Sequence, residues 1–192
     1  MKRQFGPTQW LFPMPCAIVV GGTPERADGL AAAWINMVSS TPATVVVGLR
    51  DSRTTLAMIR ESDTFTVNTP SASLAVQFDY FGTTCGADCD KFADTGLSLE
   101  PSRVVAAPII AQCPFNLECR VTGEVEVGSY RVLLGEVVET HADESVLTAD
   151  GKNIDMAALD PLAYIPGVRE YHRLGGKVAD AYTLGATLKK QG

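Results

Sequence analysis

The sequence has no long apolar run, no excess of basic charge and no glycine-rich nucleotide loop, and each absence removes a class of function. The longest apolar stretches, such as residues 44–49, fall far short of the roughly 20 residues that a helix needs to cross a bilayer. Lys2 and Arg3 open the chain, but no apolar segment of signal-peptide length follows before Pro13 and Pro15. The chain therefore reads as soluble and cytoplasmic, with no membrane partner. The net charge of −6 leaves no basic face for nucleic acid. A phosphate-bearing ligand stays open, because it needs only a local cluster of donors. No Gly-x-Gly-x-x-Gly follows a predicted strand and no Walker-type loop is present, which argues against a dinucleotide or P-loop site. Histidine is scarce, and neither His141 nor His172 stands at metal-ligand spacing. There is no Cys-x-x-Cys, so no metal site is expected.

What is there suits a packed core. Hydrophobic residues make up 46% of 192 and charged residues 20%, the usual globular mix, and the length fits one domain over residues 1–192. Five cysteines, an odd count without an export signal, are expected as reduced thiols. Cys85 and Cys89, four apart, have a spacing that suits a metal or a redox pair, and read otherwise as a turn of small residues. A thiol metal site using Cys85, Cys89, Cys113 and Cys119 is a remote third possibility.

Short β-rich runs dominate. Residues 16–20 and 44–49 read as buried strands entered through prolines, and residues 64–68 as a half-buried strand. Phe115, Leu117, Cys119 and Val121 alternate with Asn116, Glu118, Arg120 and Thr122, predicting an apolar face and a wet one. The alternation continues over 124–127, and Gly128 reverses the chain into a strand over 130–139. Residues 145–148 predict a last short strand before the Asp150-Gly151 turn. Helices are predicted over 54–62, with Ser52 or Thr54 as N-cap, and over 71–80. Residues 27–38 are ambiguous between helix and strand. From about 160 the chain reads as a surface arm. Many short strands with a few inserted helices predict a mainly β fold, a barrel or sandwich.

The segment from Arg50 to Thr55 carries the clearest chemistry. It leaves a buried strand and enters a helix, where unpaired N–H groups and the helix dipole favour an anion. Ser52, Thr54 and Thr55 add hydroxyls, and Arg50 and Arg53 add charge that pairs with phosphate oxygens. The plain alternative is helix capping with two solvated arginines. Taken alone, Asp90-Lys-Phe reads as a helix start with an exposed Lys91, and Trp34 as a core filler.

Read together, these segments carry more. Asp28-Gly-Leu-Ala-Ala-Ala-Trp34, Asp79-Tyr-Phe-Gly82, Asp90-Lys-Phe-Ala-Asp-Thr-Gly-Leu97, Cys113-Pro-Phe-Asn-Leu-Glu-Cys119, Gly128-Ser-Tyr-Arg-Val-Leu-Leu-Gly-Glu-Val137 and Tyr171-His-Arg-Leu-Gly175 follow one another in an order that resembles the flavin reductase-like FMN-binding proteins, especially the flavoredoxin branch. The likeness covers nearly the whole chain. It implies a split β-barrel with Greek-key connections, a homodimer, and FMN as a non-covalent cofactor for electron transfer between a reduced donor and an acceptor. The partner would be a redox partner protein or a small acceptor, with NAD(P)H as a transient donor. Carried over, Ser52, Arg53, Thr54, Thr55 and Lys91 would hold the phosphate. Asp28, Trp34 and the region of Ser39 would meet the ring or ribityl chain, and Tyr130 and Tyr164 would approach from later segments. Two positions depart from the pattern: Asp28 replaces an asparagine of the flavoredoxins, and Tyr130 replaces a histidine of many relatives. The resemblance also leaves room for an NAD(P)H:flavin reductase that releases its flavin, or a flavin-binding module without activity.

Overall fold

In a computed structural model that describes residues 1–188, seven strands form one antiparallel sheet. They are β2 (Ala17–Thr23), β3 (Arg26–Ala32), β4 (Ile35–Ser40), β5 (Ala43–Arg50), β6 (Thr64–Thr69), β9 (Phe115–Val127) and β10 (Tyr130–Ala142). Their spatial order is β3-β2-β6-β9-β10-β5-β4. The two edge strands, β3 and β4, are consecutive in the chain and separated only by Ala33 and Trp34. That short link draws the two edges together and rolls the sheet into a split barrel. Hairpins at β2–β3, β4–β5 and β9–β10 alternate with the long connections between β5, β6 and β9, the Greek-key habit.

Strand β2 shows why the run of apolar residues has no polar alternation. Ala17 and Val19 point into a core with Val45, Val47, Leu49, Phe65, Cys119 and Leu133. Ile18 and Val20 point the other way, into a second core with Phe78, Phe81, Ile110 and Leu162. A strand covered on both faces has no wet side to mark with polar residues. Helix α1 (Thr54–Ser62) adds Leu56 and Ile59 to the first core, and α2 (Ala75–Thr83) adds Phe78 and Phe81 to the second. Gly135 is required where β10 crosses Phe65, since a Cβ there would lie 2.3 Å from the ring. The ambiguous stretch over 27–38 resolves as β3 and β4, its alanines overruled by barrel packing.

Several expectations need correction. Alternation along β9 is real, but its polar face is wet only from Arg120 onward; Asn116 and Glu118 are buried. The segment over 101–110, which includes β8 (Ile109–Ile110) paired with β7 (Leu99–Glu100), covers them. Glu118 accepts hydrogen bonds from the N–H groups of Arg103, Val104 and Val105 at 2.7, 2.7 and 3.0 Å and meets His141 Nε2 at 2.6 Å. Asn116 donates to Asn68 Oδ1 at 2.8 Å. The predicted strand over 145–148 is instead a single helical turn at Glu144–Val146 followed by an isolated bridge between Leu147 and Ile154. Only Val146 there is buried, too little apolar surface to hold a strand. Ser52 and Thr54 do not cap α1: Arg53 is the N-cap and no side chain caps that end. The C-terminal arm is built in at its start. After α4 (Met156–Leu159), β11 (Leu162–Ile165) and β12 (Glu170–Arg173) join β1 (Met14–Pro15) in a three-stranded sheet, with Leu162 and Ala163 buried. Among the described residues no helix is long and apolar enough to cross a membrane.

Candidate functional site

The corner that joins the two edge strands also opens a cleft. Because Ala33 and Trp34 turn between the two edge strands, Trp34 is left standing on the rim with 41% of its surface exposed, so it is no core filler. Gly48 of β5 makes room beneath it, and the Gly48 N–H donates to the Trp34 carbonyl at 2.8 Å. A cleft of about 430 Å³ lies beside it, lined by the β3–β4 corner, the end of β5, α2 and the β11–β12 hairpin. A volume of that order accepts a ligand of drug-like size.

Its walls are aromatic. The Trp34 and Tyr130 rings lie 6.3 Å apart at 32°. From the β11–β12 hairpin, Tyr164 and Tyr171 form another pair at 5.8 Å, and Tyr171 meets Phe78 edge-on at 5.5 Å. Flat faces of this kind take a planar conjugated ligand. Arg50 and Arg53 line the same cleft. Arg50 donates to the Tyr130 hydroxyl at 3.3 Å, and Arg53 reaches the Gly82 carbonyl at 3.5 Å. Arg53 also sits at the uncapped start of α1, whose first turn contains no acidic residue, so two guanidinium groups and a helix N-terminus converge at this mouth. Tyr171 donates to Asp79 Oδ1 at 2.9 Å. Desolvation first, then Asp79, raises the Tyr171 pKa, so its hydroxyl stays protonated as a fixed donor.

The other expected site residues lie elsewhere. Asp28, Thr55 and Lys91 form a closed polar cluster under the loop between α2 and α3 (Lys91–Thr95). Lys91 Nζ is 3.1 Å from Asp28 Oδ1 and donates to the Gly29 carbonyl at 2.6 Å; Thr55 donates to Asp28 Oδ2 at 2.5 Å. Asp90 does start helix α3, its carboxylate accepting from the N–H groups of Phe92 and Ala93, but Lys91 is 3% exposed and points inward. Gly86 seals the cluster, since a Cβ there would fall 2.1 Å from Asp28 Oδ1. Asp28 and Lys91 border a second depression rather than the aromatic cleft. Ser52 lies in a third hollow with Asp51 and Arg131, and Thr54 is half-buried at the start of α1. Ser39, on β4 opposite Thr44, accepts from the Thr41 N–H at 3.2 Å and does not reach the cleft. The structure thus brings together Trp34, Arg50, Arg53, Tyr130 and Tyr164, and gathers Asp28, Thr55 and Lys91 separately.

Phe78, Asp79 and Tyr171 are cleft residues that carry no functional signal of their own in the sequence. Asp79 and Tyr171 do fall inside the motifs that carry the family likeness, and that is the available signal. The cysteines divide by environment. Cys113 and Cys119 belong to different cores, so a four-thiol site is not assembled, and among the described residues no cluster of three or more metal-ligating side chains occurs.

Comparisons with known proteins agree with this architecture. The flavin reductase like domain model matches residues 10–175. The flavoredoxin of Desulfovibrio vulgaris (Miyazaki F) superposes with a TM-score of 0.90 at 32% identity, covering 96% of this chain and 100% of that one. Flavoredoxin from Methanosarcina acetivorans gives a TM-score of 0.91 at 26% identity over 98% of this chain and 100% of that one. The reductase component of the Rhodococcus opacus 4-nitrophenol 4-monooxygenase/4-nitrocatechol 2-monooxygenase is 34% identical over 117 residues, 59% of this chain and 58% of that protein. With a family model spanning most of its length and flavoredoxins matching it end to end, the chain belongs to the flavin reductase-like family of flavin-related oxidoreductases and electron-transfer proteins, in the flavoredoxin branch.

Proposed function

We propose that the aromatic cleft holds FMN non-covalently and that the protein passes electrons between a reduced donor and an acceptor in the manner of a flavoredoxin. One observation carries the reading: a cleft of about 430 Å³ walled by aromatic pairs has two arginines and an uncapped helix start at its mouth. Trp34, Tyr130, Tyr164 and Tyr171 would offer flat surfaces to an isoalloxazine, and Arg50 and Arg53 would neutralise a phosphate. When bound, the flavin supplies the two-electron chemistry, and the protein contributes position and electrostatics. Within the cleft, the buried side of β3 at Leu30 and Ala32 keeps water from one face, while Tyr171, held by Asp79, retains its proton.

An absorption spectrum of the purified protein before and after dialysis tests this. A flavin spectrum that survives dialysis and bleaches on addition of NADH, NADPH or a reduced carrier protein is the expected result. Failure to bind FMN would remove the reading. A second reading, an NAD(P)H:flavin reductase that releases reduced flavin, is favoured by the open mouth of the cleft and by the likeness to a monooxygenase reductase component. It predicts loss of colour on dialysis with turnover of added flavin. Binding without bleaching would indicate a non-catalytic flavin module.

The same reading includes a homodimer. Met37 and Val38 stand exposed along the edge strand β4, Trp34 stands exposed just before it, and Trp10, Leu11 and Phe12 are exposed in the N-terminal segment. Exposed apolar side chains of this size suit a second copy of the chain. Light scattering during gel filtration is expected to give twice the monomer mass, and a monomer at micromolar concentration would rule the dimer out.

A further inference from the structure

Three of the five thiols are chemically shut away. Cys16, Cys113 and Cys119 are buried, and burial pushes each of them up to about 12. Cys85 and Cys89 differ. Both are half-buried in the loop between α2 and α3, outside the two cores. The loop folds them toward each other: the Asp88 N–H donates to the Cys85 carbonyl at 3.0 Å, and Cys89 Sγ turns back to the same carbonyl at 3.6 Å. With its sulfur 3.6 Å from the Cys85 backbone, Cys89 stands within reach of the other cysteine across one turn. Cys89 also has a polar neighbour, since the Tyr80 hydroxyl lies 3.9 Å from its sulfur and donates to Asp94 Oδ2 at 2.7 Å. That bond to Asp94, chiefly, pushes Tyr80 up to about 12, so the phenol keeps its proton, which is committed to Asp94.

We propose that Cys85 and Cys89 form a redox-active dithiol that reduces low-molecular-weight disulfides, closing to an intraloop disulfide. Cys89 attacks one sulfur of the small disulfide, breaks its S–S bond and releases one thiol. Cys85 then attacks Cys89 of the mixed disulfide, forms the Cys85–Cys89 bond and releases the second thiol. The dithiol loses two electrons, the small disulfide gains them, and the two thiol protons leave on the released thiols. None of this depends on what occupies the aromatic cleft.

Oxidised glutathione is the probe. The full-length protein is reduced, freed of reductant and incubated with it, then denatured for thiol counting and digested with trypsin. No Lys or Arg lies between residues 61 and 90, so both cysteines fall in one peptide ending at Lys91. The expected result is a fall from five free thiols to three, with that peptide lighter by two hydrogens. Cys85→Ser is expected to stop at a glutathione adduct on Cys89. Persistence of all five thiols in the wild-type chain, or a stable glutathione adduct without closure, would overturn the proposal. Because the wild-type peptide decides the matter, poor folding of a variant leaves it testable.

Discussion

Two polar regions of this protein share a composition and differ in what they can do. In the cluster of Asp28, Thr55 and Lys91, a cation, an anion and a hydroxyl satisfy one another out of contact with water. At the cleft, the Arg50 and Arg53 side chains stand beside aromatic rings and, among the described residues, bond to a phenol and a backbone carbonyl. A cation near a ligand site is therefore not the same as a cation available to a ligand. Lys91 already has its counter-charge, whereas the two arginines face an opening.

The largest expected effect breaks the closed side. Lys91→Met should cost about 3–5 kcal/mol in urea unfolding, because it leaves the Asp28 carboxylate buried without its counter-ion. Adding Asp28→Asn should restore a large part of that loss. A cost below about 1 kcal/mol for the single change would show that the pair is not closed from water. On the open side, Arg50→Gln with Arg53→Gln should weaken FMN binding by about 3 kcal/mol, because two charge-assisted hydrogen bonds to the phosphate disappear. Riboflavin, which has no phosphate, should bind almost unchanged, and stability should move by no more than about 0.5 kcal/mol. Equal weakening of both ligands would detach the arginines from the phosphate.

Glu118 sharpens the comparison from a third place. Desolvation opposes its charge, but hydrogen bonds from Arg103, His141, Val104 and Val105 prevail and hold its pKa below the ordinary glutamate value of 4.5. A carboxyl whose pKa is lower folded than unfolded stabilises the protein above the unfolded value. That stability is lost as pH falls from about 4.5 through the lower folded value, because the unfolded chain takes up the proton first. Glu118→Gln should cost about 2 kcal/mol at neutral pH and flatten the acid limb of the stability profile. An unchanged acid limb would count against it. The smallest effect returns to the cleft: Trp34→Ala should weaken flavin binding by about 1 kcal/mol beyond the apolar area it removes, with little change in unfolding, since the ring is 41% exposed.

Much of this was legible in the sequence. Barrel strands appear as apolar runs and alternations, and α1 follows β5 where the helix signals place it. The arginines at that junction stand out as an anion-site candidate from chemistry alone, with helix capping as the plain alternative. Less legible was anything that depends on what covers a surface. Asn116 and Glu118 occupy alternate polar positions, which elsewhere would be wet, and only the segment over 101–110 makes them interior. Lys91 follows a helix cap in a polar loop, where exposure is the ordinary outcome, and it is buried because Asp28 lies opposite, 63 residues earlier in the chain. Tyr171 and Asp79 stand 92 residues apart, and no local pattern joins them.

By itself, then, the sequence determined the kind of elements, the family and the pair of arginines at the mouth of the cleft. Those features depend on periodicity, caps and residue order, which are local. Tertiary structure decided which charges face the open cleft and which face each other, because solvent exposure and ion pairing belong to surfaces brought together from distant parts of the chain.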